Sequence, residues 1–234
     1  VKVGVRRAGE PEMLYFNIVR DKINVFSVPV YYMVDDTVGY IKVTRFNDNT
    51  YEEFNSALKE LQKTGMQQLM LDLRGNPGGY LTAAYNMTDE LLDGKKLIVY
   101  TEGKAYERND YLASLDGIYE DGDLIVLIDE GSASASEIMA GAVQDWDRGL
   151  IVGRRSFGKG LVQEQYLLSD SSALRLTVAR YYTPSGRSIQ KSYENGDEDY
   201  RAEVFHRFET GELTEEEVAA EGLDTVKYFT ANNR

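Results

Sequence analysis

Apolar and polar residues alternate over 1–8 (VKVGVRRA) and 13–20 (MLYFNIVR), the period of half-buried strands, on either side of the turn sequence GEPE. Residues 28–46 repeat the pattern and read as a hairpin turning at DDT. The period then lengthens to that of a helix. In NTYEEFNSALKELQKTG, Phe54, Leu58 and Leu61 share one face, Asn49 or Thr50 is placed to cap it, and Gly65 to stop it. MQQLMLDLRG predicts a buried strand, NPGG a turn, and Leu81 to Leu92 a second amphipathic helix. KLIVYTE and DLIVLIDE are strand-like, the second a near-continuous apolar run of the parallel-sheet kind. SASASEIMAGAVQDWDRG predicts a third helix with Ile138, Met139, Ala142, Val143 and Trp146 on one side. LIVGRRS, LVQEQYLL and ALRLTVARYYT predict three more strands, and TEEEVAAE a short helix.

Strands and helices alternating between residues 38 and 154 predict an α/β core with βαβ crossovers, and the later strands an antiparallel addition. At 234 residues the chain has the length of one ordinary domain, with an apolar fraction of 42% that suits a globular core. No apolar run is long enough to span a membrane. Val1 opens inside a strand-like pattern without Met or a signal sequence, as expected of a chain that begins within a longer protein.

The net charge of −13 is concentrated in the tail: from Glu194 onward 12 acidic residues face 4 basic ones. Such a balance argues against nucleic acid as a partner. With no cysteine, disulfides, thiolate catalysis and Cys-ligated zinc are excluded. The single histidine, His206, lies in the acidic tail, so neither a multi-His metal site nor an obvious Ser-His-Asp triad is available.

Three segments carry chemistry, and each also has a plain structural reading. GRRSFGKGLVQ (153–163) contains most of a phosphate-binding loop, but Gly160 stands where Ser or Thr should follow the lysine, and a strand-like LVQEQY follows where a helix is needed. DEGSASASEIMAG runs from strand to helix through a small-residue turn, which lifts Ser134 to a helix N-terminus as a nucleophile; Ser134 with Glu137 equally fits a capping box. LDLRGNPGGY ends a buried strand in a loop whose Gly78 and Gly79 can aim N–H groups at a ligand, or simply make a tight turn, with Asp72 and Arg74 as a structural pair. Taken together they supply the parts of acyl transfer. Ser134 can be the nucleophile and Gly78 or Gly79 with Ala135 the oxyanion donors, and with histidine unavailable Lys159 is the natural base. A lysine that works as a base near neutrality must be brought from ~10.4 to 7–8, about 4 kcal/mol, within reach of burial. Ile151, Val152, Phe157, Leu161 and Val162 are its apolar neighbours in sequence, and the amide of Gln163 can orient an amine without recharging it.

GYIKVTRF, DLRGNPGG, GSASASE, GRRSFGKGLVQ and RYYTPSGRSIQ, in that order over about residues 38 to 191, resemble the C-terminal processing, or tail-specific, serine peptidases. The resemblance implies a ClpP/crotonase-like α/β core over residues 27–193, preceded by the last strands of a PDZ-like domain (1–26) and followed by an acidic, partly helical extension (194–234). It implies that Ser134 is the nucleophile, Lys159 the general base and Gln163 its support, with oxyanion donors from Gly78 or Gly79 and Ala135. Asp145 matches a supporting position in some members, or is a helix-surface aspartate. No metal or cofactor is implied. The implied partners are protein or peptide substrates with apolar C-termini, the implied setting is extracytoplasmic (periplasm or envelope), and a homo-oligomer is one option for assembly. The family's Gly-rich segment ending in Ile-x-Pro-Asp is absent. A non-catalytic binding module on the same fold is the alternative, since retinoid-binding proteins of the eye resemble these peptidases.

Overall fold

Parallel strands need crossovers, and the three crossovers here stack on one sheet. In the computed structural model, which describes residues 1–21, 25–114, 116–193, 196–213 and 226–234 (without the side chains of 197, 199 and 201), fifteen elements are formed. β1 (Lys2–Val5) and β2 (Leu14–Asn17) pair only with each other, antiparallel. β3 (Val30–Met33), β4 (Val38–Lys42), α1 (Thr50–Lys63), β5 (Gln68–Asp72), α2 (Leu81–Asp89), β6 (Leu97–Glu102), β7 (Asn109–Leu112) and β8 (Asp123–Ile128) follow. After them come α3 (Ala135–Asp145), β9 (Leu150–Gly153), β10 (Leu161–Leu167), β11 (Ala173–Tyr182) and α4 (Asp197–Glu209).

The main sheet has the order β3-β4-β5-β8-β9, parallel from β4 to β9 with β3 added antiparallel through the hairpin at Asp35–Thr37. Phe54, Leu58 and Leu61 of α1, Ala84 and Met87 of α2, and Met139 and Val143 of α3 pack with Ile41, Leu69, Leu71 and Val126 in one core. The expected caps of α1 work differently: neither Asn49 nor Thr50 makes a side-chain cap bond, and Thr50 is buried on Ser27.

β6 leaves the parallel series. It pairs with β7 and β11 in a second, antiparallel sheet of order β10-β11-β6-β7. The cause lies in α3, whose residues are buried on nearly every side. A helix apolar all round needs a second layer, and Ile98 and Val99 of β6 supply it against Ile138 and Ala142. The acidic extension forms α4 at 197–209; the helix expected at TEEEVAAE lies outside the described residues.

Register aligns the carboxyl ends of the parallel strands: Lys42 stands beside Asp72, Asp72 beside Leu127, and Ile128 beside Gly153. The loops after β5, β8 and β9 therefore leave from one edge, where open α/β sheets build their sites.

Candidate active site

Those three loops carry Gly78 and Gly79, Ser134, and Lys159, and backbone hydrogen bonds knit them together. Asp129 Oδ1 accepts the N–H groups of Gly75 and Gly131 at 2.7 and 2.9 Å, and the Ser132 hydroxyl donates to the Leu73 carbonyl at 2.9 Å. Asn76, fully buried, accepts at its carbonyl from Ala133 N–H and the Ser136 hydroxyl, each at 3.0 Å. Phe157 N–H donates to the Ser132 carbonyl at 2.9 Å, drawing the lysine loop to the serine loop.

Ser134 sits at the N-cap of α3 with φ 56° and ψ −112°, a conformation an L-residue adopts only under constraint. A sharp strand-to-helix turn of this kind presents a nucleophilic hydroxyl. The capping box is met chiefly from the Glu137 side, whose Oε2 accepts Ser134 N–H at 2.7 Å. The Glu137 N–H goes to the Ser134 carbonyl at 2.9 Å and also faces the Ser134 side chain, so both halves of the expected box are present.

Glu137 does more than cap. Its buried carboxylate takes four donors: Ser156 Oγ and Gly158 N–H on Oε1 at 2.7 and 2.6 Å, Ser134 and Lys159 N–H on Oε2 at 2.7 and 2.8 Å. One oxygen thus joins the backbones at residues 134 and 159, within two hydrogen-bond lengths of each other. Burial raises the carboxyl above its ordinary value, and the four donors only partly oppose that. Periodicity concealed this role, because a Glu three residues after Ser reads as a cap.

The glycine loop meets the serine directly. A Cβ on Gly78 would stand 2.8 Å from Ser134 Cβ, and one on Gly79 would stand 2.0 Å from the Phe46 carbonyl oxygen. Both have positive φ, 93° and 148°, so neither position admits a side chain without strain. Their N–H groups differ. Gly78 donates to Asn76 Oδ1 at 2.9 Å, whereas Gly79 and Ala135 have no acceptor for their N–H among the described residues. Of the three N–H groups, these two remain open to an acceptor.

The remaining sequence candidates are placed less closely. The Lys159 side chain is exposed, its amine has no hydrogen-bond or ion-pair partner among the described residues, and none of its apolar neighbours in sequence is fully buried. These neighbours do not bury the amine: 154–160 is a loop at the sheet edge, held by its backbone and by the side chains of Arg154, Arg155, Ser156 and Phe157. Gln163 is exposed on β10, just past a bulge between Val162 and Gln163. Asp145 ends α3, about 16 Å along the helix from Ser134. Its carboxylate is buried and accepts Ser185 N–H at 2.9 Å and Arg187 at 3.3 Å, so it holds the PSGR turn. His206 is exposed beside Glu209.

Asp72 and Arg74 do pair, at 2.8 Å, with Tyr40 and Lys42 also on Asp72. Burial would raise the Asp72 carboxyl, but these donors hold it well below the usual carboxylate range. A cavity of about 380 Å³ opens beside this cluster, between Gly75, Asp129 and Arg154. The cations that line it are paired, Arg154 with Glu130 at 2.8 Å and Lys42 and Arg74 with Asp72.

The chain is similar to proteins of known family. Residues 37–199 match the peptidase family S41. The carboxy-terminal-processing protease of Bartonella bacilliformis is 43% identical over 197 residues, 81% of this chain and 44% of that protein. The carboxyl-terminal-processing protease of Synechocystis is 38% identical over 196 residues, 82% of this chain and 45% of that protein. Among solved structures, the photosystem II D1 C-terminal processing protease superposes with a TM-score of 0.66 at 35% identity, covering 81% of this chain and 52% of that one. The chain spans about half the length of the relatives it matches.

Proposed function

The chain belongs to peptidase family S41, and on that footing we propose that it is a serine endopeptidase working through a Ser134–Lys159 dyad. The neutral Lys159 amine takes the Ser134 hydroxyl proton as Oγ bonds the scissile carbonyl carbon. The oxygen that becomes negative is held by the N–H groups of Gly79 and Ala135. The C–N bond then breaks, the ammonium returns its proton to the leaving amine, and water releases the acyl group by the same route. Gln163 orients the amine. In the free chain Lys159 is open to water, so on this reading the substrate itself covers the amine and makes it a base.

The observation that carries the proposal is the shared Glu137 oxygen, which brings the serine and lysine backbones side by side beneath two unengaged N–H donors. The substrates are protein chains cut near apolar C-terminal segments, and the setting is extracytoplasmic. Residues 1–26 are the closing strands of a PDZ-like domain, 27–193 the peptidase core. Reaction with a fluorophosphonate is the test. The chain should be labelled at Ser134, Ser134→Ala should not, and Lys159→Ala should be labelled at least a hundredfold more slowly. Wild-type labelling of Lys159→Ala removes the lysine as base; an unreactive wild-type chain points to a binding module on this fold.

A further inference from the structure

The acidic extension grips the loop that carries Lys159. Arg207 of α4 is buried, with 2% of its side chain exposed. Its guanidinium donates to the carbonyls of Arg155 and Ser156 and to Glu212 at 2.9 Å. Glu212 in turn takes both forks of Arg155 at 2.8 Å, and Arg155 also reaches Glu203 at 3.2 Å. Lys191 binds Glu203 at 2.6 Å, lies over the rings of Phe157 and Tyr200, and donates its backbone N–H to the Gly158 carbonyl at 3.0 Å.

The loop backbone is thus held from two sides by opposite charges. Its N–H groups at Gly158 and Lys159 face the Glu137 carboxylate, while its carbonyls at Arg155 and Ser156 face the Arg207 guanidinium. Glu137 belongs to the serine's own helix. Arg207 belongs to an element outside the core, so the lysine loop is complete only when α4 is docked. A planar fork that satisfies two carbonyls and a carboxylate at once is something arginine supplies and lysine does not.

We propose that Arg207 is a positioning residue for the peptidase reaction, and that α4 is a clamp setting Lys159 against Ser134. The inference rests on the dyad reading above. It is tested by reacting the chain and its variants with a fluorophosphonate and following endpoint and rate constant separately. The endpoint counts folded sites; the rate constant reports how well the base is placed. Arg207→Met should keep the endpoint and lower the rate constant at least tenfold, with part of the loss recovered in Arg207→Lys. A purely structural role would lower the endpoint and leave the rate constant alone. Amide exchange at Gly158 and Lys159 should quicken at least tenfold in Arg207→Met. Wild-type rate and wild-type protection in that variant overturn the clamp. Lys159→Ala separates the two ideas: slow labelling there beside normal labelling in Arg207→Met sinks the clamp alone. Full-rate labelling of Lys159→Ala removes the base, and the clamp with it. Should Arg207→Met not fold, Glu212→Gln loosens the same fork and should slow labelling about threefold; a wild-type rate overturns the proposal.

Discussion

Replacing Glu137 by Gln and by Ala should damage the protein to different and calculable degrees. Four donors meet the carboxylate, two on each oxygen. Glutamine has one oxygen to offer. It will place that oxygen toward Ser134 and Lys159, because on the other side the Ser156 hydroxyl can rotate to accept from the new amide. Only Gly158 N–H is then orphaned, a cost of about 1–3 kcal/mol for a buried donor, while relief of the buried charge offsets part of it. Alanine orphans three backbone N–H groups, at 134, 158 and 159, and should cost about 4 kcal/mol or more even with water entering the space. Urea denaturation gives the stabilities, and fluorophosphonate labelling should slow about tenfold for Gln and a hundredfold or more for Ala. The sign with pH is fixed too. A carboxyl raised in the folded state binds protons more readily there than in the unfolded chain, so its contribution falls as pH rises through the window above ~4.3. The stability advantage of the wild type over Glu137→Gln should therefore grow as pH is lowered toward 4. A Gln variant more stable than wild type at neutral pH would mean that charge burial outweighs the four bonds, and would refute this account of the junction.

Three further outcomes are expected. Asp72→Asn leaves Arg74 and Lys42 facing a neutral group and should cost about 3 kcal/mol at pH 7. Because the folded carboxyl titrates below the unfolded one, that difference should persist above pH ~4 and shrink on further acidification, as read from urea midpoints across pH. Gly79→Ala drives a methyl into the Phe46 carbonyl and should lower the melting temperature and abolish labelling, whereas undisturbed labelling would show that the loop moves freely. Asp145→Asn should lower stability by about 1–3 kcal/mol through the PSGR turn, with the labelling rate within twofold of wild type. Loss of labelling in that folded variant would assign Asp145 the supporting role that the family resemblance implies.

Periodicity was a good guide wherever one face of an element is buried. α1 carries its stripe at Phe54, Leu58 and Leu61, and β8 its apolar run, and both form where expected. It was silent on β7, four residues reading NDYL, and on which sheet β6 joins, since an apolar run does not say what covers it. α4 lacks a clean stripe because its docking is ionic and aromatic, through Glu203, Arg207 and Tyr200. The motifs pointed to the serine, glycine and lysine loops as neighbours, and the loops after β5, β8 and β9 do lie together at one sheet edge. What they could not supply was the distinction between two adjacent glycines, which depends on where the Asn76 side chain points.

The strain at Ser134 and the openness of Lys159 follow from one arrangement. Holding a non-glycine residue in so sparse a region costs about 1–3 kcal/mol. The turn bears it because bonds converge on both flanks: Ala133 N–H on Asn76, Ser134 N–H on Glu137, and the walls of Gly78 against the serine. Those bonds engage main chain almost exclusively. The lysine amine and the N–H groups of Gly79 and Ala135 are left without partners among the described residues, while the backbone around them is bonded on both flanks. On the proposed reading these groups are pre-positioned yet unsatisfied, and an extended peptide substrate would supply what they lack. That division, rigid backbone beneath unengaged side chains, is what lets a carboxylate with no chemical step of its own set the geometry of the site.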